Sequence, residues 1–440
     1  MKRILVLFAK EWDKPEFARS ACGDYEFVFA GFDLFRFPSN AQLLTFDIRR
    51  FVDRLVSRFR REKIDGVFSN NEYFGALAAA VIAERLGLPG TPPAALITAQ
   101  HKYYARLAQQ RIAPEAVPRF AAFPYACRDP ESLGLAYPFF IKPVRATFSV
   151  LARKIENAEQ FRRHLRFSAF ETLIIKRLVK PFNDLMPHYT DHTLDAHHFI
   201  AEETLSGMQV NVDGFVRNGE IRFIGFSDAL LFPGTDAFLR FECPSQVPGD
   251  TRERMCELAT RVLKGMGYTH GFFNLEVYWR PDTGEIKIIE INPRLASQLA
   301  GLYRRVEGYK PHRMLLELCT GQEPSFEREP TGCTHAASFV FRKFDGLPLN
   351  SAPTPERLRK VRARYPDADV MLYLKRGASL AREMKWLGSY RYALLNLSAP
   401  TEDDLFRRYR EIRGMLGFDE SDVPVFQTAR RLDPYGLISS

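Results

Sequence analysis

The sequence predicts a mixed chain, α/β at its start and α+β further on, in three parts: residues 1–95, 96–330 and 331–440. Three observations carry this. Strand-like and helix-like runs alternate over the first ninety residues. A pair of carboxylate-bearing strands, joined by a turn signal, lies between residues 273 and 294. Short strand-like runs return beyond Pro330. At 440 residues the chain is long enough to bury a large core.

The opening residues 1–8 have a basic start but a short apolar run, soon broken by Lys10, Glu11 and Asp13. They read as a first strand and not as a signal peptide. Apolar residues at 48, 51, 52, 55 and 59 recur with the helical period. Residues 64–70 form a strand, and 73–86 a helix closed by Gly87 and Pro89, with the small apolar run 76–83 inside a core. This alternation predicts a parallel, doubly wound sheet. No G-x-G-x-x-G follows the first strand, which argues against a dinucleotide. Asn70-Asn71-Glu72 falls at the carboxyl end of a parallel strand, where such sheets place ligands, and makes Glu72 a candidate substrate contact.

The hairpin is the most informative segment. Residues 273–279 and 286–294 flank Pro281-Asp282-Thr283-Gly284, a turn signal. Folding about Thr283 sets Glu276 opposite Glu290 and Asn274 opposite Asn292. Like charges directly across a ladder are destabilising unless a cation lies between them. Oxygen ligands on a stiff hairpin suit Mg²⁺, completed by phosphate oxygens, and Glu276, Glu290 and Asn292 are the candidate ligands.

These residues, with Gly271-Phe272-Phe273 before them and Arg294 after, resemble the metal-binding hairpin of the ATP-grasp superfamily. Three further segments resemble it in the same order. His101-Lys102-Tyr103 looks like the segment carrying the first nucleotide-binding lysine. Tyr137-Pro138-Phe139-Phe140-Ile141-Lys142-Pro143 looks like the strand carrying the second. Residues 199–207 look like the adenine-contacting hinge. The resemblance implies a Rossmann-like N-terminal domain, a two-part ATP-grasp domain and a small C-terminal α+β subdomain. It also implies ATP, with Mg²⁺ or alternatively Mn²⁺, as cofactors. Lys102 and Lys142 would meet phosphates; Glu203 and Leu205 would read adenine through their backbone. Glu202 would accept from its amine or orient a lysine, and Gln209 stands where relatives place a ribose-binding glutamate. Arg294 resembles the arginine that stabilises charge on an acyl phosphate. The loop after Lys142 departs from the family in lacking glycine, so that Arg145, Thr147 and Ser149 are expected to supply donors there. His270 is a further candidate for phosphate or substrate.

The histidines at 188, 192, 197 and 198 read as part of a loop over the site, with structural zinc as the alternative. Beyond Pro330, residues 334–341, 370–374 and 391–397 are strand-like, and Thr401 caps a helix through Arg413. Six scattered cysteines suggest reduced thiols of a cytoplasmic protein. The net charge of +9 comes with interspersed acids, so nucleic acid is not expected as a partner, and no stretch approaches a membrane span. The implied activity is an ATP-dependent carboxylate–amine ligase acting through an acyl phosphate on small-molecule substrates, with a homodimer left open. The alternatives are a biotin-carboxylase-like or other acyl-phosphate enzyme, or a nucleotide-binding regulator without turnover.

Overall fold

The computed structural model describes residues 1–10, 13–21, 23–34, 38–147 and 150–419. Ile4, Leu5, Val6 and Leu7 are all buried, because β1 (Lys2–Leu7) is the centre of a parallel sheet covered on both faces. It is flanked by β2 (Tyr25–Ala30), which the sequence reading did not anticipate, and β3 (Gly66–Phe68), in the order β2-β1-β3. The strand expected over 64–70 is shorter. After Phe68 the chain turns: Ser69 Oγ donates to the Leu7 carbonyl at 2.6 Å and accepts from Asn71 N at 3.1 Å. Helix Gly75–Leu86 starts so close to this turn that a Cβ on Gly75 would stand 2.3 Å from Ser69 Oγ. Helix Ile48–Glu62 begins at Asp47, whose side chain accepts from Arg50 N. These elements close the N-terminal α/β unit.

The middle of the chain forms two antiparallel sheets. The first holds β4 (Phe120–Pro124), β5 (Phe139–Pro143), β6 (Arg153–Ile155) and β7 (His198–Glu203), in the order β4-β7-β5-β6. Phe123, Phe139, Phe161 and Phe199 fill its apolar side against helix Ala169–Leu185 and its neighbours. The second begins with β8 (Met208–Arg217), β9 (Glu220–Leu231), β10 (Phe238–Cys243), β11 (Gly271–Trp279) and β12 (Ile286–Asn292). Residues 204–207 are the link from one sheet to the other. Gly207 has φ 135°, and a Cβ there would meet the Trp279 carbonyl at 2.5 Å.

The second sheet does not stop at residue 330. β13 (His335–Lys343), β14 (Asp369–Leu372) and β15 (Tyr390–Ala399) extend it to eight strands, ordered β12-β11-β8-β9-β10-β13-β15-β14. The C-terminal part is thus a continuation of the middle sheet, joined by β10–β13 pairing. Helix Glu402–Leu416 covers it through Phe406, Tyr409 and Ile412, and starts at Thr401, whose Oγ1 accepts from Asp404 N at 3.1 Å. Cys243 and Cys319 are buried thiols, while Cys127, Cys256 and Cys333 are unpaired and half-buried; Cys22 lies outside the described residues. Among the described residues, no helix is long and apolar enough to cross a membrane.

A second tie joins the two sheets. Helix Gly377–Leu387, between β14 and β15, reaches the first sheet, where the Trp386 carbonyl accepts from Leu151 N at 2.8 Å and the indole packs on its apolar cluster. Lys385 pairs with Glu171 at 2.6 Å. Trp386→Ala is expected to lower the unfolding free energy by about 2 kcal/mol from lost apolar burial and to speed proteolytic cleavage near residues 150–153. A melting temperature and cleavage rate equal to the parent's would refute the tie.

Candidate functional site

The two sheets face each other across a cavity of about 130 Å³ whose lining includes Lys102, Lys142, Glu202, Gln209, Glu276 and Glu290. The site-facing side of the second sheet follows from alternation. Gln209, Asn211 and Asp213 on β8 and Asn274 and Glu276 on β11 share the polar side. Val210, Val212, Leu275 and Val277 point the other way, into a core against helix Gly249–Gly265.

The hairpin pairs Glu276 with Glu290 and Asn274 with Asn292, as the sequence predicts. It reaches this register by a route the sequence reading did not foresee. Nearer the turn the pairs are one residue off, Val277 with Ile288 and Trp279 with Ile286, and the ladder shifts between Glu276 and Val277. Ile289 is the extra residue of this bulge, and its carbonyl is turned to the cleft. There it accepts from Arg106 at 2.8 Å and from Lys142 Nζ at 3.4 Å.

Helix Lys102–Ile112 brings two cations to the cleft one turn apart, Lys102 and Arg106. Lys102 Nζ lies 3.0 Å from Glu290 and donates to the Ala146 carbonyl at 2.9 Å. Arg106 was missed by the sequence reading, although its i,i+4 spacing from Lys102 signalled a shared face. It donates to Glu202 Oε1 at 2.7 Å. The other oxygen of Glu202 holds Lys142 at 2.8 Å. Of the two expectations for Glu202, orienting a lysine is the arrangement present. Burial would raise the Glu202 carboxyl, but Arg106 and Lys142 outweigh it and hold it at about 2. For Lys142, burial lowers the ammonium more than Glu202 raises it.

Glu276 is pushed above the ordinary carboxylate range by burial first and by the charge of Glu290 second. Glu290 is held down: burial opposes ionisation, but Lys102 and Lys142 prevail. Gln209 Nε2 donates to Glu276 Oε2 at 2.9 Å, so its amide serves this carboxylate. Asn292 Nδ2 donates to Glu276 Oε1 and to Asn274 Oδ1, both at 2.9 Å, which leaves the Asn292 carbonyl oxygen for a ligand. Glu276, Glu290 and Asn292 thus form a set of hard oxygen donors that fits Mg²⁺ or Mn²⁺. The cations opposite fit phosphate.

Arg294 faces another space. It donates to Glu72 Oε2 through Nε at 2.9 Å, with NH2 at 2.8 Å, and lines a cavity of about 70 Å³ with Asn70 and His270. His270 is buried, with Nε2 3.2 Å from the Leu318 carbonyl, and burial lowers its pKa. Leu205 and Glu203 line the first cavity, but the exposed Glu203 carboxylate turns outward to Arg119. The expectation that Arg145 supplies a donor to the cleft is not met. Its buried guanidinium caps the carbonyls of Glu72 and Tyr73 and lies over the Phe182 ring. Ser149 lies outside the described residues. The histidine stretch is pinned by stacking: His192 on Tyr104 at 3.7 Å and His197 on Tyr125 at 4.4 Å. Among the described residues, no three His, Cys, Asp or Glu side chains gather as a metal site there.

Residues 135–301 match the family model described as the ATP-grasp domain, and the chain carries that domain over this stretch. Among solved structures the chain is similar to the L-amino acid ligase from Bacillus licheniformis, at 17% identity and TM-score 0.69, over 95% of this chain and 98% of that one. It is also similar to phosphoribosylglycinamide synthetase from Anaerococcus prevotii, at 15% identity and TM-score 0.61, over 95% and 99%. A third likeness is to the biotin carboxylase from Campylobacter jejuni, at 13% and 0.60, over 95% and 92%. At these identities what is shared is the fold. No curated protein matches the chain.

Glu202 has a testable signature. Its carboxyl sits at about 2 against an ordinary 4.5. A depressed carboxyl contributes stability that is complete above the unfolded value and is lost as pH falls through the folded one. Glu202→Gln strands two buried cations and should cost about 3 kcal/mol near neutral pH. The deficit should shrink as the pH falls from 4.5 toward 2. Denaturant melts of both proteins across that range check it; a deficit independent of pH would exclude the ion pairs as its source.

Proposed function

We propose that this ATP-grasp chain is an ATP-dependent ligase that activates a carboxylate as an acyl phosphate, couples it to an amine and releases ADP and phosphate. The observation that carries this reading is the meeting of Lys102 and Lys142 with the paired Glu276 and Glu290 across one cavity. The matched domain and the fold shared with an L-amino acid ligase support it.

In this reading Lys102 and Lys142 neutralise phosphate oxygens as compact charges. Glu202 holds Lys142 in place at 2.8 Å and opposes the lowering of its pKa by burial. The adenine lies against Leu205 and the backbone of Glu203, on the link between the sheets. Gln209 steadies Glu276. Glu276, Glu290 and Asn292 would hold Mg²⁺, which would supply positive charge to offset that of the phosphates.

A carboxylate oxygen of the acid attacks the γ-phosphorus of ATP, and ADP leaves with the electron pair of the broken P–O bond. The amine nitrogen then attacks the acyl carbon and loses its proton, and phosphate departs with the original carboxylate oxygen. In this reading Arg294, which Glu72 holds through its Nε and NH2, stabilises the oxyanion of this second step. In the same reading His270, which lines the smaller cavity, and Glu72, which holds Arg294 at its wall, would contact the acid or amine.

Two outcomes test this. A matrix of acids and amines with Mg·ATP is expected to contain a pair that stimulates phosphate release and moves ¹⁸O from the acid's carboxylate into phosphate. Unlabelled phosphate accompanying accumulating product would eliminate the acyl phosphate. Separately, Arg294→Ala is expected to bind Mg·ATP with near-parental affinity while product formation falls about 10²-fold. A comparable loss of nucleotide affinity would instead assign Arg294 to ATP binding.

A further inference from the structure

Behind the candidate metal ligands runs a buried chain of polar groups that none of the roles above uses. Its far end is Tyr303, on helix Ser297–Val306. The ring lies over Gly225 of β9 so closely that a Cβ there would stand 2.6 Å from it. Glycine at that position therefore makes room for the tyrosine. Tyr303 OH donates to Asp213 Oδ2 at 2.6 Å. The same oxygen accepts from Asn274 Nδ2 at 3.2 Å, and Asn274 Nδ2 also reaches Asn211 Oδ1 at 3.2 Å. Asn274 Oδ1 in turn accepts from Asn292 Nδ2 at 2.9 Å. Tyr303, Asp213, Asn274 and Asn292 are each 4% exposed or less, so water does not substitute for a lost partner.

The chemistry of a carboxamide makes this chain directional. An amide has an oxygen that only accepts and a nitrogen that only donates. The carboxylate of Asp213 claims the nitrogen of Asn274, so the Asn274 oxygen faces Asn292. That oxygen, with Glu276 Oε1, claims the nitrogen of Asn292. The carbonyl oxygen of Asn292 is then the only end left for a cation. Were Asn274 reversed, Asn292 would reverse with it and present N–H groups to a positive ion.

From this geometry we infer that Tyr303, Asp213 and Asn274 are positioning residues that fix the polarity of Asn292 and one oxygen of Glu276 for a divalent cation. The inference deepens the metal-dependent reading above and rests on it. The roles are separable from nucleotide binding as such, because none of the three lines the cavity beside Lys102 and Lys142.

The test measures ADP affinity by calorimetric titration with and without excess Mn²⁺, and bound Mn²⁺ by its paramagnetic resonance spectrum. In the parent chain Mn²⁺ is expected to strengthen ADP binding, and Glu290→Gln to abolish that gain. Asn274→Leu, of matching shape, should leave metal-free ADP affinity near the parent's while reducing the Mn²⁺-dependent gain about 10-fold or more, the scale of losing a partner behind a metal ligand. Tyr303→Phe, which deletes one hydroxyl and keeps the ring over Gly225, should reduce the gain in the same direction by less. A gain that Glu290→Gln abolishes but both Asn274→Leu and Tyr303→Phe retain overturns the positioning roles alone. Absence of any gain in the parent overturns the metal reading and the positioning with it. Equal losses of metal-free and metal-dependent affinity reduce the chain to a structural network and overturn the inference as well.

Discussion

Charge brought out of water must be compensated where it lies, and that requirement organises this molecule. Between the two sheets the chain buries Arg106 and Lys142 with Glu202, and half-buries Lys102 with Glu290. An unpaired ion at such a position costs several kcal/mol, so each group fixes the placement of its partner. Helix Lys102–Ile112 is where these demands meet. Lys102 reaches the second sheet through Glu290; Arg106 reaches the first through Glu202 and the second through the Ile289 carbonyl. Cations one turn apart on a helix therefore set the spacing of the cleft.

The bulge at Ile289 serves the same requirement. A regular hairpin with this turn would place Ile289 opposite Glu276, where Glu290 now stands, since a slip of one residue exchanges the faces of a strand. With the extra residue, Ile286 and Ile288 stay in the apolar core while Glu290 and Asn292 turn to the cleft. It also frees a carbonyl that two cations use. Packing on one side of the sheet and charge on the other are reconciled at one position.

Much of this was legible in the chain. The Glu276–Glu290 register followed from a turn signal and period-2 strands, and the helices at 48 and 401 from periodicity and caps. What could not be read was long-range. β2 is a short strand whose pairing with β1 no local signal declares. The continuation of the second sheet through β13, β15 and β14 depends on contacts between segments nearly a hundred residues apart. Arg145 lay in a loop expected to face phosphate, yet its side chain satisfies carbonyls near Glu72 instead, because sequence order does not fix which way a loop residue points. Arg106 and the Gln209-Asn211-Asp213 alternation were visible as spacing, but only the facing elements show why a buried face is polar.

Helix Gly377–Leu387 has a mechanical consequence for the whole chain. Two bodies joined at one point can tilt about any axis through it. Outside the cation cluster of the cleft, the sheets here share the covalent link at 204–207 and the contact of Trp386 and Lys385 with the first sheet. Were the hydrogen bonds and ion pairs across the cleft released, the freedom these two attachments leave would be rotation about the line through them. An opening of the cleft would then turn on an axis whose direction is set in part by helix Gly377–Leu387, an element of the C-terminal part of the chain.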